Sequence, residues 1–415
     1  MEHFITGIYI EKLRHLSDIN IQLDSQKRQH LLITGKNGVG KTTLLSAIKK
    51  YLTAVNDGNF NKIDNEYARW IATAKKRLDS AVTDKDKFEA ERSYKQECAV
   101  LGKYKDGIIL IFSASDDLDA MYQQGNFITA FFPANRRTTI ERADGVADVK
   151  LQNFYGIKSE PGKILLKYMV HLKTQQSYAR NEGDLITVQK IQQWFERFES
   201  ALKVLLDNDS LSLEYDYKKY DFKIIESNRN AFGFDQLSDG YSSLINIVSD
   251  LILRMDKNWL LQENLSSYDV EGIVLIDELE THLHIELQKK ILPFLTEFFP
   301  RIQFIITTHS PYILASVSNA KCYDLERNVE LEDLTFYSSD DLAEGYFNAD
   351  EYSEELKRKN NRYSCLINKE SLSDEERAER ARIRMELKNI PTGTAKEIRQ
   401  IIDEIESGRK SNGKN

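Results

Sequence analysis

Along this chain the spacing of apolar positions changes several times. Thr6 to Leu13 and Ile19 to Leu23 alternate as two strands around the turn His15-Leu16-Ser17-Asp18. His30 to Ile33 is a short apolar run, after which Leu44, Leu45, Ala47, Ile48 and Leu52 recur at helical spacing. Helical spacing continues through Tyr67, Trp70, Ile71, Ala74, Leu78 and Val82, and the polar stretch Thr83 to Lys87 reads as a turn. Residues 58–105 therefore read as a helical hairpin with arms of roughly 17 residues, about 25 Å long. Strands resume at Gly107 to Phe112 and Phe127 to Phe132. Residues 160–206 are helical in pattern, with Ile191, Trp194, Phe195, Phe198, Leu202 and Leu205 on one face. Strands return around 211–226. Gly272 to Ile276 is continuously apolar, as in a parallel strand covered on both faces, and Phe304 to Thr308 reads as a further strand. Strands alternating with helices predict an α/β fold.

Composition narrows the class. With 415 residues and 41% hydrophobic content the chain can bury a sizeable core, and its net charge of -8 argues against a protein that coats nucleic acid. A local basic face remains compatible with that sum, and Lys75-Lys76-Arg77 and Arg136-Arg137 are its clearest candidates. No run of eighteen apolar residues occurs, and the start MEHFITGIYIEK lacks the features of a signal peptide. A soluble, cytoplasmic protein with no membrane association is expected. Cys98, Cys322 and Cys365 lie far apart without a C-x-x-C pair, so unpaired thiols are expected.

The candidate chemistry begins at LLITGKNGVGKTT, residues 31–43, where Gly35-x-x-x-x-Gly40-Lys41-Thr42 stands between an apolar strand and a helix. This is the P-loop arrangement. Small residues let backbone N–H groups curl around phosphate oxygens, and the helix N-terminus adds partial positive charge. Gly35, Asn37, Gly38, Gly40, Lys41, Thr42 and Thr43 are the expected contacts to ATP, with Lys41 reaching the β- and γ-phosphates and Thr42 holding Mg²⁺. In EGIVLIDELETHLH, residues 271–284, Asp277 and Glu278 follow an apolar strand at its C-terminal end, where α/β sheets place ligands. Asp277 suits the Mg²⁺ carboxylate and Glu278 the base that polarises the attacking water. A third apolar strand ends in His309-Ser310-Pro311. By itself His309 reads as a packed or capping histidine sooner than a catalytic one. The heptapeptide DQLSDGY, residues 235–241, by itself reads as a helix cap ahead of Leu244 to Val248.

Taken in order, the P-loop, LSDGY, the apolar strand ending in Asp-Glu, and TTHSP resemble ABC-type ATPase heads of the soluble RecF, SMC and OLD-like branch. The resemblance implies an α/β P-loop NTPase with helical insertions and a helical C-terminal appendix. It makes Leu237 to Tyr241 the signature motif, Thr281 to His284 the D-loop and His309 the switch histidine. It also implies that Ser238 and Gly240 contact the γ-phosphate of ATP held by a second copy, so that a homodimer or a higher homo-oligomer closes around ATP. Asp239 and Tyr241 depart from the usual LSGGQ, as in the soluble branch. Such heads carry a Gln loop after the strand at Phe127 to Phe132, but here Pro133-Ala134-Asn135-Arg136-Arg137 follows without an unambiguous Gln, which leaves Asn135 or an arginine as its substitute, unassigned. The turn near the start leaves Arg14 or His15 either near the nucleotide or solvated.

On this resemblance the ATPase core comprises 1–57, 106–158 and 207–335, interrupted by the hairpin 58–105 and a helical lobe 159–206. Residues 336–415 form the appendix, with an acid-rich stretch from Ser338 to Glu355, a capping-box start at Ser373-Asp374-Glu375-Glu376, an amphipathic segment around Ile398 to Ile405, and a disordered tail from Ser407. Toprim strands with their acidic residues are not recognisable, and none of the seven histidines lies beyond His309, so nuclease activity is not expected of this chain. LSDGY, IDELETHLH and TTHSP with a short insert resemble the ATPases of two-gene bacterial antiphage systems, Septu and retron-associated, which implies a separate nuclease as effector. The alternative is a DNA-repair ATPase of the RecF kind, with DNA as a possible partner. An ABC importer subunit is disfavoured because the D-loop lacks the SALD pattern.

Overall fold

The uninterrupted apolar runs become the buried strands of the main sheet. The computed structural model describes residues 2–136, 140–226, 230–257, 270–331, 334, 342, 354–369 and 371–388. Strands β1 (Ile5–Leu13) and β2 (Leu16–Gln22) form a hairpin, followed by β3 (His30–Thr34) and α1 (Lys41–Asn56). Helices α2 (Phe60–Asn65), α3 (Tyr67–Ser80) and α4 (Asp84–Tyr104) lead to β4 (Ile108–Phe112), α5 (Leu118–Gln124) and β5 (Phe127–Phe132). Then come α6 (Leu165–Glu182), α7 (Leu185–Leu205), β6 (Ser212–Asp216), β7 (Asp221–Ile225), β8 (Ala231–Gly233) and α8 (Asp239–Met255). The core closes with β9 (Glu271–Ile276), α9 (Ile285–Phe298), β10 (Ile302–Thr307), α10 (Pro311–Leu314), β11 (Ala320–Asp324) and β12 (Val329–Leu331).

Six strands make the main sheet in the order β12-β11-β3-β10-β9-β5, parallel except for β12 at one edge. Every residue of β3, β9 and β10 is buried, as strands covered on both faces must be. A second sheet, β2-β1-β4, is antiparallel, and β2 alternates buried and exposed positions. Helix α1 lies in the core shared by both sheets, its Leu44, Leu45, Ile48, Tyr51, Leu52 and Val55 packed with Ile8, Ile10 and Ile21 of one and Leu31, Ile33 and Ile305 of the other. Buried Gln303 also ties the sheets together, exchanging hydrogen bonds with the backbone of Ile5 at 2.7 and 2.8 Å.

The aromatic face of α7 is core: Trp194 and Phe198 stack on each other, and Phe195 stacks on Phe222 of β7. The hairpin's arms are unequal, 14 residues in α3 and 21 in α4. The expected turn from Thr83 to Lys87 is shorter than its polarity suggested. Thr83 accepts a hydrogen bond from Asp86 N at 3.1 Å and caps α4, whose first turn carries Asp84 and Asp86 against the positive end of the helix.

The chain divides into two compact units, residues 1–338 and 339–415. In the second, α11 (Glu354–Asn368) and α12 (Asp374–Lys388) are joined by Arg362–Glu379 and Lys369–Glu376 ion pairs. Ser373 and Glu376 form the reciprocal capping box at the start of α12. Arg137, most of the acid-rich stretch, the segment Ile398 to Ile405 and the tail from Ser407 lie outside the described residues.

Candidate nucleotide site

Because β3, β10 and β9 are adjacent and parallel, with Ile33 opposite Thr307 and Ile306 opposite Ile276, the residues after their C-terminal ends meet at one edge. The loop after β3 has left-handed backbone at Gly35, Gly38 and Gly40, with φ of 130°, 84° and 104°. Glycine suits position 40 because of that positive φ, and a methyl group there would also crowd Leu16 Cδ1 at 3.1 Å. Lys41 is buried, and its Nζ donates to the carbonyls of Gly35 (2.7 Å) and Lys36 (3.0 Å) of its own loop. Burial pushes the Lys41 ammonium below the usual lysine range, while Glu278, Glu280, Asp277 and Asp324 pull it back. Asn37 and Gly38 are exposed at the crown of the loop.

Asp277 leaves β9 with one carboxylate oxygen between two threonine hydroxyls, Thr307 at 2.6 Å and Thr42 at 3.2 Å. Thr307 also accepts from Glu278 N at 2.8 Å, so one buried hydroxyl fixes both acids. Glu278 has φ 47°, a left-handed conformation uncommon for a residue with a side chain. Thr281 donates to its carboxylate at 3.3 Å. His309 is half-buried. Its backbone N–H donates to Glu280 Oε1 at 2.6 Å, while His309 Nε2 and Glu280 Oε2 are buried without a hydrogen-bond partner among the described residues. Burial, then the charge of Lys41, holds the His309 imidazole below its ordinary value, which favours the neutral ring.

The signature residues sit at the start of α8. Ser238 occupies the cap position, is exposed, and makes no capping hydrogen bond to its own helix. The sequence expectation of a plain helix cap therefore lacks its hydrogen bond. Gly240 is buried against the D-loop, where a methyl group would lie 2.4 Å from His282 O. The P-loop, Asp277, Glu278 and His309 are thus brought together, whereas no hydrogen bond among the described residues joins Ser238 or Gly240 to the P-loop of the same chain.

Beside the loop, a groove of about 760 Å³ runs along α1, lined by Thr42, Thr43, Lys12, Arg14, Lys49, Lys50, Lys103 and Lys158, with Asp106 the sole carboxylate on its wall. Arg14 borders it. His15 instead turns to the P-loop, its Nε2 2.9 Å from Val39 O.

Three contributors received no assigned role from the sequence. Thr307 opens TTHSP at the end of a buried strand, but the motif gave it no role of its own. Glu280 stands just before the D-loop and had no expected role. Arg136 was considered as half of a basic surface pair, yet it is only 7% exposed, and its guanidinium donates to Asp277 O (2.6 Å), Glu278 O (3.0 Å), Pro133 O (3.0 Å) and Ser243 Oγ (2.8 Å). Burial lowers its pKa to about 10, opposed by Glu280, Asp277 and Glu278, so it stays charged at neutral pH. It is not available to nucleic acid. Its only sequence signal is its place where a Gln loop is expected.

The geometry fits a triphosphate with Mg²⁺. The loop has the left-handed glycines of an anion cradle, among the described residues Lys41 Nζ donates only to carbonyls of that loop, and Thr42 and Asp277 present hard oxygen donors side by side. Comparison with known proteins agrees. Residues 16–67 match the family described as "P-loop containing region of AAA domain", and residues 187–315 match "AAA domain, putative AbiEii toxin, Type IV TA system". The retron Vc95 probable ATPase of Vibrio cholerae is 25% identical over 360 residues, spanning 72% of this chain and 69% of that one. The Septu protein PtuA of Bacillus thuringiensis is 29% identical over 303 residues, 69% of this chain and 67% of that one. The chain is thus similar to P-loop ATPases of the AAA/ABC type, Septu PtuA and the retron ATPases among them. Among solved structures, an SMC head bound to the C-terminal winged-helix domain of ScpA aligns with 80% of this chain and 96% of that one at 13% identity and a TM-score of 0.38. No helix among the described residues is long and apolar enough to cross a membrane.

Proposed function

We propose that this protein binds Mg²⁺-ATP, hydrolyses it with Glu278 as general base, and closes as a homodimer around ATP to control a separate effector, a nuclease, in antiphage defence. The observation that carries the ATPase reading is the Thr42–Asp277–Thr307–Glu278 chain of hydrogen bonds beside Lys41. In this reading Thr42 and Asp277 hold Mg²⁺, which would supply positive charge next to the transferring phosphoryl group. Lys41 exchanges its loop carbonyls for phosphate oxygens. The backbone N–H of Glu278, held by Thr307, sets the direction of the carboxylate that takes the proton from water. Neutral His309 offers its free Nε2 as a donor or acceptor toward the γ-phosphate or the water. The nucleoside lies in the basic groove along α1. An exposed Ser238 with no capping bond supports its engaging ATP on a second copy.

Relatedness to the Septu and retron ATPases supports the defence role, and with it the effector. Turnover by the wild type compared with Glu278→Gln tests the chemistry: hydrolysis should fall by about 10²–10⁴ with ATP binding retained, and normal turnover by the variant would remove Glu278 from this role. Purification from the native operon tests the rest. A co-purifying nuclease supports the effector reading, whereas retention of DNA without a partner supports the repair alternative.

A further inference from the structure

The geometry points to Arg136 as a positioning residue that couples the signature helix α8 to the backbone carrying Glu278. The inference rests on the ATPase reading above.

Two independent contacts run from α8 to the same short stretch of chain. Ser243, one turn into α8 and 2% exposed, accepts from Arg136 Nε at 2.8 Å. The two remaining nitrogens of that guanidinium hold the carbonyls of Asp277 and Glu278 at 2.6 and 3.0 Å. Separately, Gly240 lies against His282 O so closely that no side chain fits between them. A displacement of α8 therefore pulls on the loop 277–282 at both of its ends. The stretch being held is also the one with left-handed backbone, at Glu278 (φ 47°) and His282 (φ 64°), a conformation that persists only where the surroundings enforce it.

The chemistry of the side chain favours coupling over simple filling of space. A planar guanidinium spreads donors over three nitrogens in fixed directions, so one group spans two successive carbonyls and a hydroxyl at once, whereas the donors of an ammonium all radiate from a single rotatable nitrogen. Among the described residues its hydrogen bonds all go to backbone carbonyls and a hydroxyl, with no direct carboxylate contact. Whatever engages the start of α8 is thereby reported to the orientation of Glu278. If that is ATP on a second copy, each site senses the other.

The test is steady-state ATP hydrolysis by the full chain with Arg136→Lys, Arg136→Ala, Ser243→Ala and the double variant Arg136→Lys/Ser243→Ala. Arg136→Lys should lower kcat about 10–100-fold with KM for ATP within about twofold, since the positioning acts on the catalytic carboxylate and not on phosphate binding. Ser243→Ala should lower kcat about 3–10-fold, and adding it to Arg136→Lys should cost less than about twofold more, because both act through one contact. Guanidinium ion at low millimolar concentration should partly restore Arg136→Ala, which a loss of packing alone would not allow. Wild-type kcat in Arg136→Lys, additive losses in the double variant, or a KM increase matching the whole loss would each overturn the proposal. Should the Arg136 variants fail to fold, Ser243→Ala decides alone: an unchanged kcat refutes the coupling. An inactive wild type would instead remove the ATPase reading itself, and the proposal with it.

Discussion

Replacing Thr307 with valine removes one hydroxyl while keeping the shape of the side chain, and two hydrogen bonds disappear with it. The first is charge-assisted, to Asp277 Oδ1 at 2.6 Å, and the second satisfies Glu278 N at 2.8 Å. Thr307 is fully buried, so water is not at hand to replace them. A bond to a charged group contributes about 1.5–3 kcal/mol, and a buried donor left without an acceptor costs about 1–3 kcal/mol. Thr42 continues to donate to the same oxygen of Asp277 at 3.2 Å, which favours the lower part of both ranges. The expected loss is therefore about 2.5–4 kcal/mol. At about 2 °C per kcal/mol this corresponds to a thermal midpoint lower by roughly 5–8 °C, measurable by scanning fluorimetry without nucleotide. Turnover should fall about 100-fold as well, since the carboxylate of Glu278 is no longer aimed. Thr307→Ser keeps both bonds, loses only a methyl group, and should stay within about 1 kcal/mol of the wild type with near-normal turnover. If the valine and serine variants match in midpoint and in kcat, the hydroxyl does not organise the site and the reasoning fails.

Two further outcomes follow from the structure. His30 is buried with its Nδ1 accepting from Phe304 N at 3.1 Å, and burial, with the charge of Arg28, holds its pKa down at about 4. Below pH 6.5 the unfolded chain binds a proton that the folded ring refuses, so stability is full above that pH and falls by about 2–4 kcal/mol as the pH drops from 6.5 to 4. His30→Asn should flatten urea midpoints across that window, and an unaltered slope would show that other groups carry it. Mixing Lys41→Ala with Ser238→Arg should restore ATP-dependent association, seen by light scattering, although neither variant associates alone, because one of the two sites then pairs an intact P-loop with an intact signature. Failure of the mixture beside an ATP-dimerising wild type would show that Ser238 does not act across an interface.

What the sequence determined by itself is the part of this protein written in local pattern. The P-loop is legible because its glycines, lysine and threonine occupy fixed positions in one short turn whose backbone geometry only they satisfy. The apolar strand followed by Asp277-Glu278 is legible because a strand covered on both faces shows no alternation, and its end is where polar residues can return. The aromatic stripe of α7 announced a core face through its spacing alone. Only the tertiary structure decided what lies between these segments. Thr307 looks like one more strand residue until parallel pairing sets it beside Asp277, 30 residues earlier in the chain. Arg136 looks like half of a surface basic pair until β5 delivers it beneath carbonyls 141 and 142 residues later. The requirement for glycine at position 240 comes from the approach of His282, which no window around the signature contains. Contacts of this range depend on strand order and on where loops converge, and residue spacing encodes neither.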